Sequence, residues 1–446
     1  MQFSDLNLTA PMLQALEEMG LTTPTTIQEK AYSVVMSGKD VCGIAQTGTG
    51  KTLAYLLPII RMLEFSKTRF PQVLVLVPTR ELVTQVVSMA EKLCEKRNLT
   101  IVGVYGGVNM KPQAQAVMNG VDLLVATPGR LFDLMNSGAL GTKMIKRLVI
   151  DEVDEMLNLG FRRQLTHIIE ALPPRRQNLL FSATLPEEVE LLINDYFNEP
   201  VRVEAAPAGT PVANIHQVAY DVPNFYTKVN LLKHFLETDD TMQKVMLFTS
   251  SKKMADRLYE ALMPEYESLI GVIHSNKEQS NRFRAVANLK DGTFRMIIAT
   301  DIVARGIDIA GVDHVINFDL PEVAEHYIHR IGRTGRAQQQ GEAISFITEK
   351  DKPSQEAIEG LMQMDIPMED FPAGVEISTE LLPEERPVVI HKEIQIKIKP
   401  RVDVGAAFHE KKAKNNRAPQ KKVSHKEKMM QKYGKPKSRG AKGKKR

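Results

Sequence analysis

The chain has 446 residues, 43% of them hydrophobic, so it is too long for one typical domain and predicts two sizeable cores plus an extension. The longest apolar run, residues 53–60, is short and contains Pro58, so no membrane segment is predicted. The chain has only two cysteines, Cys42 and Cys94, which predicts a reducing, cytoplasmic compartment. Residues 401–446 contain 17 Lys/Arg against 3 Asp/Glu, whereas the remaining 400 contain 41 against 51. A basic tail on an acidic body points to a polyanionic partner, with nucleic acid as the first candidate.

Strand-like apolar runs alternate with longer helical patterns in two series. The first series covers residues 41–45, 73–77, 123–126, 148–150 and 178–181, and the second covers 245–248, 268–273, 296–299, 314–317 and 341–347. Each run of the first series ends at a polar or glycine-containing segment, which predicts an α/β protein with parallel sheets.

The domain boundary is predicted in a segment with few large apolar residues. We expect a first domain over residues 1–207, a linker over 208–214, a second domain over 215–370, an extension over 371–400 and a basic tail over 401–446. The tail should be disordered because it lacks apolar periodicity.

A glycine-rich segment follows the first predicted strand and opens a helix. It reads Ala45-Gln46-Thr47-Gly48-Thr49-Gly50-Lys51-Thr52. Glycines let consecutive backbone N–H groups turn toward phosphate oxygens, Lys51 adds a charge, and the Thr52 hydroxyl can ligate Mg²⁺. This pattern predicts a nucleotide phosphate site.

An acidic cluster, Asp151-Glu152-Val153-Asp154, follows the strand-like run at residues 148–150. Asp151 is expected to hold the magnesium ion, Glu152 to polarise the attacking water as general base, and Asp154 to orient the segment.

Several short motifs, taken together and in order, resemble the DEAD-box RNA helicases of bacterial type. They lie at residues 20–28, 45–52, 78–82, 106–107, 127–130, 151–154, 182–184, 304–308 and 329–336. Val153 stands where the alanine that names the family is expected, so the acidic motif reads DEVD. The resemblance covers roughly residues 1–370 and implies two tandem RecA-like domains, ATP and Mg²⁺ as cofactors, and RNA as the partner.

The resemblance also assigns roles around the nucleotide. Gln28 would read the adenine edge through its amide, with Phe3 packing nearby, and Asp308 would contact the ribose. Arg333 and Arg336, three residues apart, would reach the γ-phosphate from the second domain, and Arg305 would pair with Glu152.

Further residues are implied on the RNA side. Arg80 and Arg130 each follow a turn at a strand end and can reach phosphates. By resemblance Gly107, Thr127, Thr249, Arg282, Thr300 and Gly306 join them. Ser182 and Thr184 would couple hydrolysis to strand separation, and we group Asp154, Arg305 and His329 with them.

The predicted function is an ATP-dependent RNA helicase that binds single-stranded RNA across two domains and locally unwinds duplexes or remodels RNA–protein complexes. A DNA helicase of the same broad superfamily and an ATP-gated RNA clamp or scaffold are the alternatives. Ribosome assembly, messenger turnover and cold adaptation all fit the sequence.

Overall fold

Two parallel β-sheets organise the chain. The computed structural model describes residues 1–46, 48–64, 68–205, 215–301, 312–335, 340–386 and 425–433. The first sheet has 7 strands in the order β3-β4-β2-β5-β6-β1-β7, and the second has 6 in the order β10-β11-β9-β12-β13-β8. The predicted α/β class, with two tandem RecA-like domains, is therefore confirmed.

The strands are β1 Val41–Ile44, β2 Val73–Leu76, β3 Ile101–Val104, β4 Leu123–Ala126, β5 Arg147–Asp151, β6 Gln177–Ser182, β7 Val201–Glu204, β8 Ile215–Asp221, β9 Val245–Phe248, β10 Ile270–Ile273, β11 Met296–Ala299, β12 His314–Asn317 and β13 Gly341–Ile347. The helices are α1 Ala10–Glu18, α2 Thr26–Met36, α3 Lys51–Met62, α4 Arg80–Cys94, α5 Met110–Asn119, α6 Pro128–Asn136, α7 Val153–Asn158, α8 Arg162–Glu170, α9 Glu187–Tyr196, α10 Phe225–Thr238, α11 Lys252–Tyr266, α12 Gln279–Lys290, α13 Ala324–Ile331, α14 Lys352–Met362 and α15 His425–Tyr433.

Both faces of each sheet are covered by helices, which is why the central strands are apolar throughout. In β2, Val73 and Val75 pack into one core and Leu74 and Leu76 into the core on the other face. The side chains of β9 divide in the same way between two cores of the second domain. Strands buried on both faces favour continuous apolar runs over alternation.

The strand order brings the functional segments to one edge of the first sheet. The glycine-rich segment follows β1, Ser182 ends β6 and Asp151 ends β5, and these three strands are neighbours. β2 and β4 continue the same edge on the far side of β5, so Arg80 and Thr127 lie farther along it. Open parallel sheets bind ligands at this carboxyl edge.

The extension that follows α14 packs back on the second domain as far as residue 386. The Glu385 carboxylate accepts hydrogen bonds from the backbone N–H groups of Phe225 (2.7 Å) and Leu382 (2.8 Å). Leu382 is buried in the same core as Phe225. The described part of the predicted extension is therefore ordered against α10.

The predicted basic tail contains one described helix. Helix α15 lies within residues 401–446, in a unit of its own that begins at Pro387. Its sequence, HKEKMMQKY, is rich in residues with high helix propensity and contains neither Gly nor Pro, which explains the helix. The rest of the predicted tail and the predicted linker lie outside the described residues.

None of the helices in the described ranges is both long and apolar enough to cross a bilayer. Cys42 and Cys94 are buried and free.

Candidate functional site

The glycine-rich segment connects β1 to α3 through two left-handed glycines. Gly48 and Gly50 have φ angles of 84° and 87°, which favour glycine. A β-carbon on Gly50 would also stand 2.2 Å from Nε2 of Gln28. The segment therefore requires glycine at position 50 for both its backbone and its packing.

Two buried groups of opposite charge lie at this segment. Lys51 is 6% exposed and Asp151 is 2% exposed. Neither Lys51 Nζ nor Asp151 Oδ1 has a hydrogen-bond partner among the described residues. Burial raises the pKa of Asp151 to about 7, although the Lys51 charge opposes that rise. Buried charges without partners are costly and rare, so the arrangement indicates a site for a charged ligand.

The donor set also fits a magnesium ion. Mg²⁺ prefers oxygen ligands such as carboxylates and hydroxyls. Asp151 offers an unpartnered carboxylate oxygen, and Thr52 is the second residue of α3, directly after Lys51. These two residues can hold the ion that the sequence predicts.

Glu152 has a strained backbone between β5 and α7. Its φ of 54° and ψ of 50° lie in the left-handed region, which costs a non-glycine residue about 1–3 kcal/mol. The turn places Glu152 at the N-cap of α7 and leaves it partly exposed beside the buried Asp151. Val153 is fully buried in the core with Met156. The core therefore accommodates a side chain larger than the alanine that the family motif has at this position.

Gln28 ties helix α2 to the glycine-rich segment. Its Oε1 accepts a hydrogen bond from the Thr25 N–H (3.0 Å), and its Nε2 donates to the Gly50 carbonyl (3.0 Å). An amide has two donors and two acceptor sites, so half of its capacity stays open for a base edge. Phe3 is 4% exposed and packs in the core of the first domain. Their predicted roles at the adenine remain predictions.

Asp154 lies against two of the other residues that we grouped as coupling residues, Thr184 and His329. Its Oδ2 accepts hydrogen bonds from the Thr184 hydroxyl (2.9 Å) and the Thr184 N–H (3.1 Å). His329 Nε2 of the second domain lies 3.9 Å from the same oxygen. Although burial alone would raise the pKa of Asp154, His329 and Lys51 hold it below its usual value. Ser182 is fully buried at the end of β6.

Among the predicted RNA residues of the first domain, Arg80 covers Gly107. A β-carbon on Gly107, whose φ is +81°, would meet the Arg80 guanidinium at 2.8 Å. Thr127 is 8% exposed at the N-cap of α6. Arg130 is also 8% exposed and donates to Gln113 Oε1 (2.7 Å) and to the Val108 carbonyl (2.8 Å). Arg130 is thus held by the protein itself.

The predicted RNA residues of the second domain are mostly buried. Thr249 follows β9, has no exposed surface, and its hydroxyl donates to the Ser251 carbonyl (3.3 Å). Thr300 follows β11 and is 9% exposed. Arg282, predicted to contact RNA, forms a buried salt bridge with Glu81 of the first domain. RNA contact by these residues remains a prediction.

Comparison with known proteins agrees with this geometry. The family model described as DEAD/DEAH box helicase matches residues 25–192, and the model described as helicase conserved C-terminal domain matches residues 227–338. RNA helicase CrhR of Synechocystis sp. is 38% identical over 364 residues, which are 82% of this chain and 73% of that protein. The chain belongs to the DEAD-box ATP-dependent RNA helicases.

Two further similarities support the family. The DEAD-box ATP-dependent RNA helicase CshA of Geobacillus kaustophilus is 37% identical over 349 residues, covering 78% of this chain and 74% of that protein. The structure of Saccharomyces cerevisiae Dbp5 bound to RNA and ADP BeF3 matches with a TM-score of 0.75 at 29% identity, covering 83% of this chain and 95% of that chain.

Some predicted residues of this DEAD-box enzyme lie outside the described ranges. They are Thr47, Arg305, Gly306, Asp308 and Arg336. Arg333 is described and is 5% exposed, just beyond α13. Gln46, Thr49 and Ala45 lie in the glycine-rich segment as predicted, with Thr49 Oγ1 donating to the Gln46 carbonyl (2.7 Å).

Sequence reasoning missed several residues that hold the helicase site together. Arg330 is 2% exposed and donates to Asp301 through Nε (2.5 Å) and Nη2 (2.8 Å). Its position inside the motif at residues 329–336 was a usable signal. No sequence signal links Glu81 with Arg282, because the two are 201 positions apart.

Proposed function

We propose that this DEAD-box protein binds ATP and Mg²⁺ at the carboxyl edge of the first sheet, closes its two domains over single-stranded RNA, and locally unwinds RNA duplexes. The observation that carries the proposal is the pair of buried, unpartnered charges, Lys51 Nζ and Asp151 Oδ1, at a left-handed glycine turn. Triphosphate oxygens would neutralise the ammonium, and a metal ion would neutralise the carboxylate.

The phosphate-binding step follows from the loop geometry. With glycines at 48 and 50 in left-handed conformations, backbone N–H groups can face phosphate oxygens at the start of α3. The Lys51 ammonium would pair with the β- and γ-phosphates. Asp151 and Thr52 would hold Mg²⁺, which supplies electrostatic neutralisation of the phosphate charge.

We assign the general base to Glu152. The left-handed turn carries this carboxylate off the strand end, where it remains partly exposed and able to meet a water molecule. Arg333, and Arg336 from outside the described residues, would bind the γ-phosphate from the second domain. Hydrolysis therefore requires the two domains to approach each other.

Two contacts between the domains support closure as the productive state. The salt bridge between Arg282 and Glu81 lies on the RNA side, and His329 faces Asp154 below the acidic motif. The similarity to Dbp5, solved with RNA and ADP BeF3, supports the same arrangement. Because Asp154 also accepts a hydrogen bond from Thr184, a movement of the acidic motif on phosphate release would be transmitted to the end of β6.

We further propose that RNA is held through its backbone, so sequence selectivity should be low and the 2′-hydroxyl should distinguish RNA from DNA. Arg80, partly exposed beside Gly107, is the described side chain best placed for a phosphate contact.

The domain boundaries at residues 1–207, 208–214 and 215–370 remain part of this proposal.

Steady-state ATPase assays of wild type and Glu152→Gln, each without nucleic acid, with single-stranded RNA and with DNA of the same sequence, test the proposal. RNA alone should stimulate wild type, and Glu152→Gln should lose about 10²–10⁴-fold in rate, the usual contribution of general-base catalysis. Equal stimulation by DNA would favour a general helicase. Negligible turnover with tight ATP-dependent RNA binding would favour a clamp.

A second pair of variants separates coupling from hydrolysis. Ser182→Ala combined with Thr184→Ala removes the hydroxyl that binds Asp154 but leaves Lys51, Asp151 and Glu152 in place. RNA-stimulated ATPase should persist while duplex unwinding is lost. Equal loss of both activities would reject the coupling role.

A further inference from the structure

A cluster of possible metal ligands lies at the edge of the second sheet opposite to the nucleotide and RNA residues. His314 is the first residue of β12, and Glu342 stands directly beside it on β13 in the parallel register. Asp239 is the C-cap residue of α10. β12 has 4 residues, so ~13 Å of strand separates this cluster from the carboxyl edge. The cluster therefore belongs to neither the ATP site nor the RNA face.

The three side chains converge on one point. His314 Nε2 lies 2.9 Å from Glu342 Oε2 and 3.7 Å from Asp239 Oδ2. One ligand atom of each residue lies within 4.8 Å of the other two. His216 Nδ1 stands 4.0 Å from the second oxygen of Glu342 and is a candidate fourth ligand. A cavity of about 810 Å³, lined by His216, His314 and Glu342, gives access.

Hydrogen bonds orient the ligand atoms before any ion arrives. The Oδ1 atom of Asp239 accepts the Thr241 N–H (2.8 Å) and the Thr241 hydroxyl (2.6 Å), which leaves Oδ2 facing His314. His314 is 2% exposed, and its Nδ1 has no hydrogen-bond partner among the described residues. The other ring nitrogen, Nε2, is the atom that faces the two carboxylates.

The local charge also favours a cation. Within the described ranges, no Lys or Arg forms a salt bridge with Asp239 or Glu342. Arg295 approaches the same helix end, but its guanidinium donates to backbone carbonyls, including those of Leu236 and Asp239. The Arg295 charge does act on Asp239, whereas Glu342 has only imidazoles within salt-bridge distance among the described residues.

A second buried histidine in the same domain shows the structural alternative. His274 is 2% exposed, and its Nε2 lies 2.9 Å from Asp256 Oδ1. There Lys277 Nζ approaches the same carboxylate oxygen at 2.9 Å. A single carboxylate between an imidazole and an ammonium is fully explained as an ion-pair group and leaves no place for a metal ion.

We propose that His314, Glu342 and Asp239, with His216 as a further ligand, form a binding site for a divalent transition metal, with Zn²⁺ as its best match. Imidazole and carboxylate ligands together suit zinc, whereas magnesium prefers all-oxygen sites. Bound zinc would tie β12, β13 and the end of α10 together. It would stabilise the second domain without entering the reaction. The proposal is independent of the proposed function.

Titration of the full chain, first stripped with a chelator, with Zn²⁺ in the presence of excess Mg²⁺ tests the site. Wild type should bind one equivalent of Zn²⁺. Glu342→Gln and Asp239→Asn should weaken that binding by at least ~10-fold, because loss of a residue that only orients a metal ligand already costs about 10- to 100-fold. At the same Zn²⁺ concentration, the melting temperature should rise more for wild type than for Glu342→Gln. Co²⁺ in the site should give the visible absorption of a tetrahedral complex.

Asp256→Asn is the matched control. It alters the other histidine–carboxylate pair and should still bind one equivalent of Zn²⁺. Glu342 has a side chain that is 48% exposed, so Glu342→Gln should fold even where a His314 variant does not. The proposal is overturned if Glu342→Gln binds zinc as tightly as wild type, or if Asp256→Asn loses as much zinc as Glu342→Gln. The RNA-stimulated ATPase rate of Glu342→Gln should match that of wild type at every zinc concentration at which wild type remains active.

Discussion

Two buried lysines, one in each domain, have opposite surroundings. Lys51 begins α3 and its Nζ has no hydrogen-bond partner in the part of the chain that the structure describes. Lys228 lies on α10, and its Nζ donates to the Phe318 carbonyl (2.6 Å) and to Asp319 Oδ1 (3.1 Å). Burial of an ammonium is costly in both places. Hydrogen bonds from the protein offset that cost for Lys228 but, among the described residues, not for Lys51. The first is placed for a ligand.

The largest expected effect on stability comes from breaking the compensated lysine. Lys228→Met would leave the buried carboxylate of Asp319 without its ammonium, and removal of one partner of a buried pair typically costs about 3–5 kcal/mol. Thermal unfolding without nucleotide should show a clearly lower melting temperature.

Lys233→Met is the matched control on the same helix. Lys233 pairs with Glu265, whose side chain is 53% exposed, and exposed pairs contribute only about 0–1 kcal/mol. If Lys228→Met melts at the temperature of Lys233→Met, the hydrogen bonds of Lys228 do not stabilise the domain as argued.

Glu81 and Arg282 are an intermediate case, because their salt bridge joins the two domains and forms only when the domains meet. A double-mutant cycle of Glu81→Gln and Arg282→Gln, read as RNA affinity in the presence of an ATP analogue, should give a coupling energy of about 1–3 kcal/mol. Without nucleotide the same variants should bind RNA as wild type does. Additive effects, with Arg282→Gln alone weakening RNA binding in both conditions, would instead make Arg282 a direct RNA contact.

Val153 separates packing from charge. Val153→Ala removes two buried methyl groups from the core below Asp151 and should cost about 2 kcal/mol of stability. ATPase activity should persist, because Asp151 and Glu152 keep their carboxylates. Loss of ATPase with an unchanged melting temperature would show that the valine acts on the catalytic groups and not on packing.

Most of the sheet architecture could be predicted from apolar runs, and two of the three missed strands are interrupted by polar residues. Every predicted run falls on a strand, but β3, β7 and β8 were missed. All three are edge strands of their sheets. Edge strands expose one side, so polar residues such as Arg202 in β7 and His216 in β8 interrupt the apolar pattern.

The phosphate site was predictable because its residues are neighbours in sequence, whereas the contacts between distant segments were not. Spacing alone placed Lys51 after a strand and a glycine turn. The salt bridge of Arg282 with Glu81 and the link from Gln28 to Gly50 depend on tertiary packing. Helix α15 depends on local propensity alone, because its sequence contains neither Gly nor Pro.

The affinity of Lys51→Met for ATP·Mg²⁺, measured beside that of Lys228→Met, tests the central claim most directly. Loss of a charged hydrogen bond to phosphate should weaken nucleotide binding by about 1.5–3 kcal/mol, roughly 10- to 150-fold in Kd. Lys228→Met should bind nucleotide as wild type does at a temperature where it is folded. Lys51→Met should change the nucleotide-free melting temperature much less than Lys228→Met does. Unchanged nucleotide affinity in Lys51→Met would contradict the assignment of the unpartnered charges to the ATP site.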